Sequence, residues 1–205
     1  MLNKYARALF TKIFTPVARL FLALGISPDV VTIVGTLGVC FGALAFYPRG
    51  GTNFFWGTLV VTAFVFSDTV DGVMARMSGR SGNWGAYLDS TLDRVGDAAI
   101  FGGLVLWYAG SGDGFVMAGL ALACLILGSV VSYAKARAEG LGMTANVGIA
   151  ERADRLVAVL VTTGLVGLGL PEVVLTVVLA LLAVASLVTV VQRMLTVRKQ
   201  ALRSA

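Results

Sequence analysis

The chain contains no histidine. That excludes any mechanism needing imidazole as base or metal ligand and leaves proton transfer to Asp, Glu, Lys, Tyr or water. Cysteine is nearly as scarce. Cys40 and Cys124 both sit inside apolar runs, which favours small core residues over a structural metal site or a disulfide. Charge is short as well. Only 13% of the 205 residues are charged, where a soluble domain carries about a quarter. Such a chain cannot cover a water-facing surface. Internal repeats and low-complexity stretches are also absent.

Apolar residues fill the space these leave. They make up 58% of the chain, and the mean hydropathy is +0.89. At about 20 residues per membrane span, the length allows six helices and no separate soluble domain. The fold class is therefore all-α integral membrane, with residues 1–205 as one membrane domain. The net charge of +5 reflects loop orientation rather than nucleic-acid binding.

Residues 2–24 are not a signal peptide, because charges interrupt the apolar run. On a helical wheel Lys4, Arg7, Lys12 and Arg19 gather on one arc. Leu9, Phe10, Ile13, Phe14, Val17, Leu20, Phe21 and Leu24 gather on the other. This predicts an amphipathic helix lying in the interface, cations toward lipid head groups. Gly25 to Pro28 break it. Six apolar segments follow, near 30–47, 54–76, 84–110, 114–134, 153–169 and 172–192, which predict six transmembrane helices. With the N-terminus inside, every Lys and Arg except Arg49 falls on the inner side. That asymmetry predicts both termini in the cytoplasm and an even number of spans.

The unusual feature is acidic. Asp68 and Asp71 are three residues apart, and Asp89 and Asp93 are four apart. Each pair projects from one face of its helix. The short link between the helices packs them antiparallel, so the four carboxylates can meet near the inner membrane surface. Four carboxylates repel one another and are costly to desolvate, so cations must offset them. Carboxylate oxygens are hard ligands that suit Mg2+ or Mn2+, and four suffice for a two-metal site of the kind that acts on phosphates. Gly72, Ala75 and Gly85 leave room for a ligand to approach the backbone, and Arg76 can pair with a phosphate. A purely structural set of ion pairs with Arg76, Arg80 and Arg94, or an ion path in a small cation transporter, would share the carboxylates. Neither explains the small residues and Arg76 beside them.

Written as a pattern, Asp68 to Asp93 reads D-x2-D-G-x2-A-R-x8-G-x3-D-x3-D. It resembles the signature of the CDP-alcohol phosphotransferases, and the length, span number and charge bias agree over essentially the whole chain. The resemblance implies a six-helix bundle, usually a homodimer, with its site open to the cytoplasm. It implies displacement of CMP from a CDP-linked lipid or alcohol by a second alcohol. Carried over by position, Asp68, Asp71 and Asp89 would bind one metal, and Asp68, Asp89 and Asp93 the second. Asp93 would also take the proton. Gly72, Arg76, Ser81 and Gly82 would hold the CDP moiety, with Asp29, Val30, Val31 and Thr32 as a further nucleotide contact.

The second half of the chain bears on the acceptor. Ser132, Lys135, Arg155 and Arg193 lie at helix ends on the inner side. A cationic pocket suits an acceptor that itself carries phosphate. Arg137, Arg198, Lys199 and Arg203 read as loop charge. The strings SYAKARAE, ERADR and VQR, with PDVVT, resemble actinobacterial members of the family that join CDP-diacylglycerol to an inositol phosphate. Relatives that use glycerol 3-phosphate, the phosphatidylglycerophosphate synthases, also need a cationic pocket and are the alternative.

Overall fold

The computed structural model describes residues 2–79, 82–110 and 114–204. The side chains of residues 2–12, Asp68 and Ser204 lie outside that description. Eight α-helices run through the described residues: α1 (Leu2–Ala23), α2 (Pro28–Phe46), α3 (Asn53–Val65), α4 (Ser67–Met77), α5 (Asn83–Gly110), α6 (Phe115–Glu139), α7 (Arg152–Gly167) and α8 (Glu172–Ser204). A 3-10 turn, Tyr47–Arg49, ends α2. No strand occurs among the described residues.

Four stretches are long and apolar enough to cross a membrane: Pro28–Arg49, Asn53–Met77, Phe115–Glu139 and Glu172–Arg203. The other two predicted spans fall short for identifiable reasons. The first half of α5 carries Asp89, Asp93, Arg94 and Asp97, and α7 has only 16 residues. The predicted span near 54–76 is two helices, broken at Phe66. At the break the Ser67 hydroxyl donates to the Phe64 carbonyl at 2.6 Å, a local bond that competes with the helical ladder. The acidic segment therefore starts a helix of its own.

The chain divides into two compact units, Met1–Ala45 with Leu59–Ile100, and Phe46–Thr58 with Phe101–Ala205. In the first, α1 packs on α4. Ala18, Val31, Val70, Val73 and Met74 form the buried cluster, with Phe14, Phe21, Leu22 and Ile26 against it. The cationic arc predicted at Lys4, Arg7 and Lys12 lies outside the described side chains. Gly35, Gly38 and Gly42 form a stripe on α2 that meets Ser67, the Phe64 ring, and Val60 with Val61. Small residues at this spacing let helix backbones approach where no water drives them together.

In the second unit α8 packs on both α6 and α7. The Cys124 thiol donates to the Leu179 carbonyl at 3.2 Å, and both cysteines are free. Tyr47, fully buried, shares a hydrogen bond with Thr58 at 3.1 Å. It packs edge-on against Phe54, which also meets Trp107 and Tyr108.

Candidate active site

The acidic pocket belongs to the first unit. Pro28 opens α2, where its missing N–H costs nothing, and Asp29 in the first turn suits the positive end of the helix dipole. Thr32 follows at i+3 on the same face. Its hydroxyl is 2.5 Å from Asp71 Oδ2 and ties α2 to α4. The Trp84 indole N–H donates to Asp29 Oδ2 at 3.0 Å and ties α5 to α2.

Between these ties lies a cavity of about 480 Å³. Asp29 and Thr32 line it from α2, Asp71, Gly72, Ala75 and Arg76 from α4, and Asn83, Gly85, Ala86 and Asp89 from α5, with Gly82 before it. Small residues make up much of the wall, so a ligand can reach the backbone. Among the described lining residues, three carboxylates stand against one guanidinium, a net charge of −2. A pyrophosphate cannot enter such a wall without divalent cations beside it. Asp71 is 7% exposed. It accepts hydrogen bonds from Thr32 and the Gly72 backbone and feels the like charges of Asp89 and Asp93. Crowded hard oxygens of this kind fit Mg2+ or Mn2+. No three carboxylates yet converge on one point among the described residues, and the Asp68 side chain is outside them.

Asp93 lies one turn beyond Asp89, outside the cavity lining. Arg94 stands between it and the buried Asp97, at 3.7 and 3.4 Å. Arg80 and Ser81 lie outside the described residues. The side chains of Val30 and Val31, expected at the nucleotide contact, line an apolar hollow of about 370 Å³, with Phe14, Phe21, Phe64 and Val70 among its walls. The cause is helical geometry, since positions 30 and 31 are turned about 100–200° from Asp29. Helices α2 and α4 thus carry a polar cavity on one side and an apolar one on another.

Of the expected acceptor residues of the second unit, Ser132 and Arg155 meet at Gly128. The Ser132 hydroxyl donates to the Gly128 carbonyl at 3.2 Å. The Arg155 guanidinium packs where a side chain at 128 would stand. Arg155, 2% exposed, donates to the Ala150 carbonyl at 3.2 Å. Arg193 donates from Nη1 to Val131 and from Nε to Val147. It is therefore partly engaged as a clamp between α6, α8 and the 140–151 connection. Lys135 is half-exposed, 4.0 Å from Glu139 one turn on. Trp84, Asn83, Gly128 and Thr189 were not expected from the sequence. Gly128, one turn before Ser132, was the most readable of them, as a small residue facing a polar one.

The chain belongs to the CDP-alcohol phosphatidyltransferase family, whose model matches residues 25–188. Within it, the phosphatidylinositol phosphate synthase of Streptomyces avermitilis is 57% identical over 98% of this chain and 84% of its own length. That of Cutibacterium acnes is 46% identical over 96% and 97%. Among solved structures, the phosphatidylinositol phosphate synthase PgsA1 of Mycobacterium tuberculosis with CDP-DAG bound matches with a TM-score of 0.86 at 43% identity, covering 91% of this chain and 94% of that one. The same enzyme in complex with manganese and citrate matches at 0.85, over 90% and 88%.

Proposed function

We propose that this membrane enzyme transfers a phosphatidyl group from CDP-diacylglycerol to an inositol phosphate, giving phosphatidylinositol phosphate and CMP. The observation that carries it is the small-residue acidic cavity next to an apolar hollow on the same helices. A donor with a charged head and two acyl chains needs both kinds of surface. The synthases of S. avermitilis and C. acnes, and the CDP-DAG complex of the M. tuberculosis enzyme, support the same donor and acceptor.

Asp68, Asp71, Asp89 and Asp93 would hold two divalent ions, Mg2+ or Mn2+, which supply Lewis acidity toward the pyrophosphate oxygens. Arg76 and the backbone around Gly72, Ser81 and Gly82 hold the CDP moiety, with Asp29 and Thr32 at its far end. Thr32 fixes the Asp71 carboxylate, and Trp84 fixes Asp29. Arg155, Arg193, Ser132 and Lys135 orient the acceptor phosphate. Asp93 accepts the proton of the attacking hydroxyl. A new bond forms between that oxygen and the lipid-side phosphorus, the pyrophosphate bridge breaks, and CMP leaves with the bridging oxygen.

The finer architecture is part of the same proposal. The whole chain is one membrane domain, as a single family match across most of it supports. The six spans are α2, α3 with α4, α5, α6, α7 and α8. α1 lies in the interface, with Ile13 and Leu20, and Leu24 just past its end, exposed toward lipid. The distribution of Lys and Arg supports an active site and both termini on the cytoplasmic side of the bacterial plasma membrane. The family resemblance implies a homodimer.

The test is CMP release by purified protein in lipid. Release should require CDP-diacylglycerol, an inositol phosphate, and Mg2+ or Mn2+, and a chelator should abolish it. Release with glycerol 3-phosphate but not inositol phosphate would move the enzyme to the phosphatidylglycerophosphate synthases. No release with any alcohol would end the enzyme reading.

A further inference from the structure

We propose that Thr189, deep on α8, is a positioning residue for the acceptor: its hydroxyl holds the backbone segment against which Arg155 is set. The inference rests on the assignment of Arg155 to the acceptor phosphate.

The α6–α7 connection has no helix of its own from Gly140 to Glu151. It is held to α8 at three places. Gln200 exchanges hydrogen bonds with the Thr144 backbone, at 3.0 and 2.6 Å. Arg193 donates to the Val147 carbonyl at 3.0 Å. Thr189 Oγ1 accepts from the N–H groups of Ile149 and Ala150, at 3.1 and 3.2 Å. Positions 189, 193 and 200 fall on one face of α8, so the helix acts as a rail for the connection.

The grip at Thr189 differs from that at Gln200 in burial and from both others in place. Thr189 is fully buried, whereas the Gln200 bonds are exposed. A hydroxyl offers one donor and two acceptor positions. Thr189 uses all three, since it also donates to the Ala185 carbonyl at 2.8 Å. Its methyl approaches Gly148 so closely that a side chain there would collide with it. Gly148 has φ +144, a conformation that favours glycine.

Ala150 connects this grip to the site. Its N–H is held by Thr189, and its carbonyl accepts from Arg155 Nη1 at 3.2 Å. Ala150 is 2% exposed, so losing the hydroxyl would strand a buried donor. The peptide would then shift to find another acceptor, and the carbonyl that aims Arg155 would shift with it. A phosphorylated polyol that needs a fixed guanidinium fork would feel this. The nucleotide lipid would not, because none of its assigned contacts lies on this segment.

The experiment compares Thr189→Val and Thr189→Ser with Arg155→Ala. Valine keeps the shape and removes every hydrogen bond, while serine restores the hydroxyl. Each protein is assayed for CMP release while inositol phosphate and CDP-diacylglycerol are varied separately. Hydrogen exchange of residues 144–151 is followed alongside. Thr189→Val should raise the KM for inositol phosphate about tenfold, leave the donor KM and kcat within about twofold, and speed exchange at Ile149 and Ala150. Thr189→Ser should return all three readouts to near the parent values. An unchanged acceptor KM in the valine variant, with a raised one in Arg155→Ala, would overturn the role of Thr189 and keep Arg155. Equal rises in both substrate KM values, or no rescue by serine, would reduce Thr189 to general packing. An unchanged acceptor KM in Arg155→Ala would instead remove Arg155 from the acceptor site and this inference with it.

Discussion

The acidic cavity of the first unit and the cationic cluster of the second are built in opposite ways. Asp89 and Arg76 are exposed, and neither has a side-chain hydrogen bond or ion pair among the described residues. Asp71 is buried and, among the described residues, bonded to one hydroxyl and one backbone N–H. By contrast Arg155 and Arg193 are at most 5% exposed and donate to main-chain carbonyls at Ala150, Val131 and Val147. The first region leaves like charges to be completed by what it binds. The second has already placed its charges, holding two guanidinium groups against the backbone. Such preorganisation limits the entropy lost when an anion arrives.

The largest effect should come from the incomplete side. Asp93→Asn keeps the shape and removes the proposed base. Turnover should fall about a thousandfold, while binding of CDP-diacylglycerol, followed by thermal shift, stays within about threefold. Normal turnover in this variant would transfer the proton to another group and weaken the contrast at its strongest point. On the placed side the expected loss is smaller and of a different kind. Arg155→Ala should raise the KM for inositol phosphate by about thirtyfold or more, because a buried hydrogen-bonded charge is removed. The donor KM should hold. Equal changes in both would mean that the cluster supports the bundle rather than the acceptor.

How much of this could be read in advance follows from the range of the interactions. The acidic motif was legible because its spacings act within single helices: Asp68 with Asp71, and Asp89 with Asp93, share faces by geometry alone. The family followed from that string, and the inositol phosphate acceptor from weaker ones, in agreement with the relatives. The partners of the carboxylates were not legible. Thr32 reaches Asp71 across 39 positions, and Trp84 reaches Asp29 across 55. The break at Phe66 was hidden for another reason. Apolar residues run up to it, and the polar Ser67, Asp68 and Thr69 beyond it read equally well as the acidic end of the same helix, so the Ser67 back-bond that competes with the ladder carries no compositional signal. The side chains of Val30 and Val31 line the apolar hollow because the helix turns them away from Asp29, which a motif quoted as a string does not show. Thr189 was invisible because threonines in apolar helices commonly bond their own helix.

Lys135 offers the finest test of the comparison, since it is assigned to the acceptor yet lacks the construction of its neighbours. Its side chain is 44% exposed, and its nearest carboxylate is Glu139 at 4.0 Å, one turn along the same helix. A charge so placed acts through water and is weakened by salt within a Debye length of about 10 Å at 0.1 M. Exposed pairs of this sort contribute about 0.2–1 kcal/mol. Lys135→Ala should therefore raise the KM for inositol phosphate only about threefold at low ionic strength, and the difference should vanish in 0.5 M salt, roughly five times that concentration. The Arg155→Ala penalty should persist there, because its guanidinium is shielded from solvent ions. A Lys135 effect that is large and insensitive to salt would place this lysine in direct contact with the bound phosphate. The cationic side would then also contain a charge that only the ligand completes.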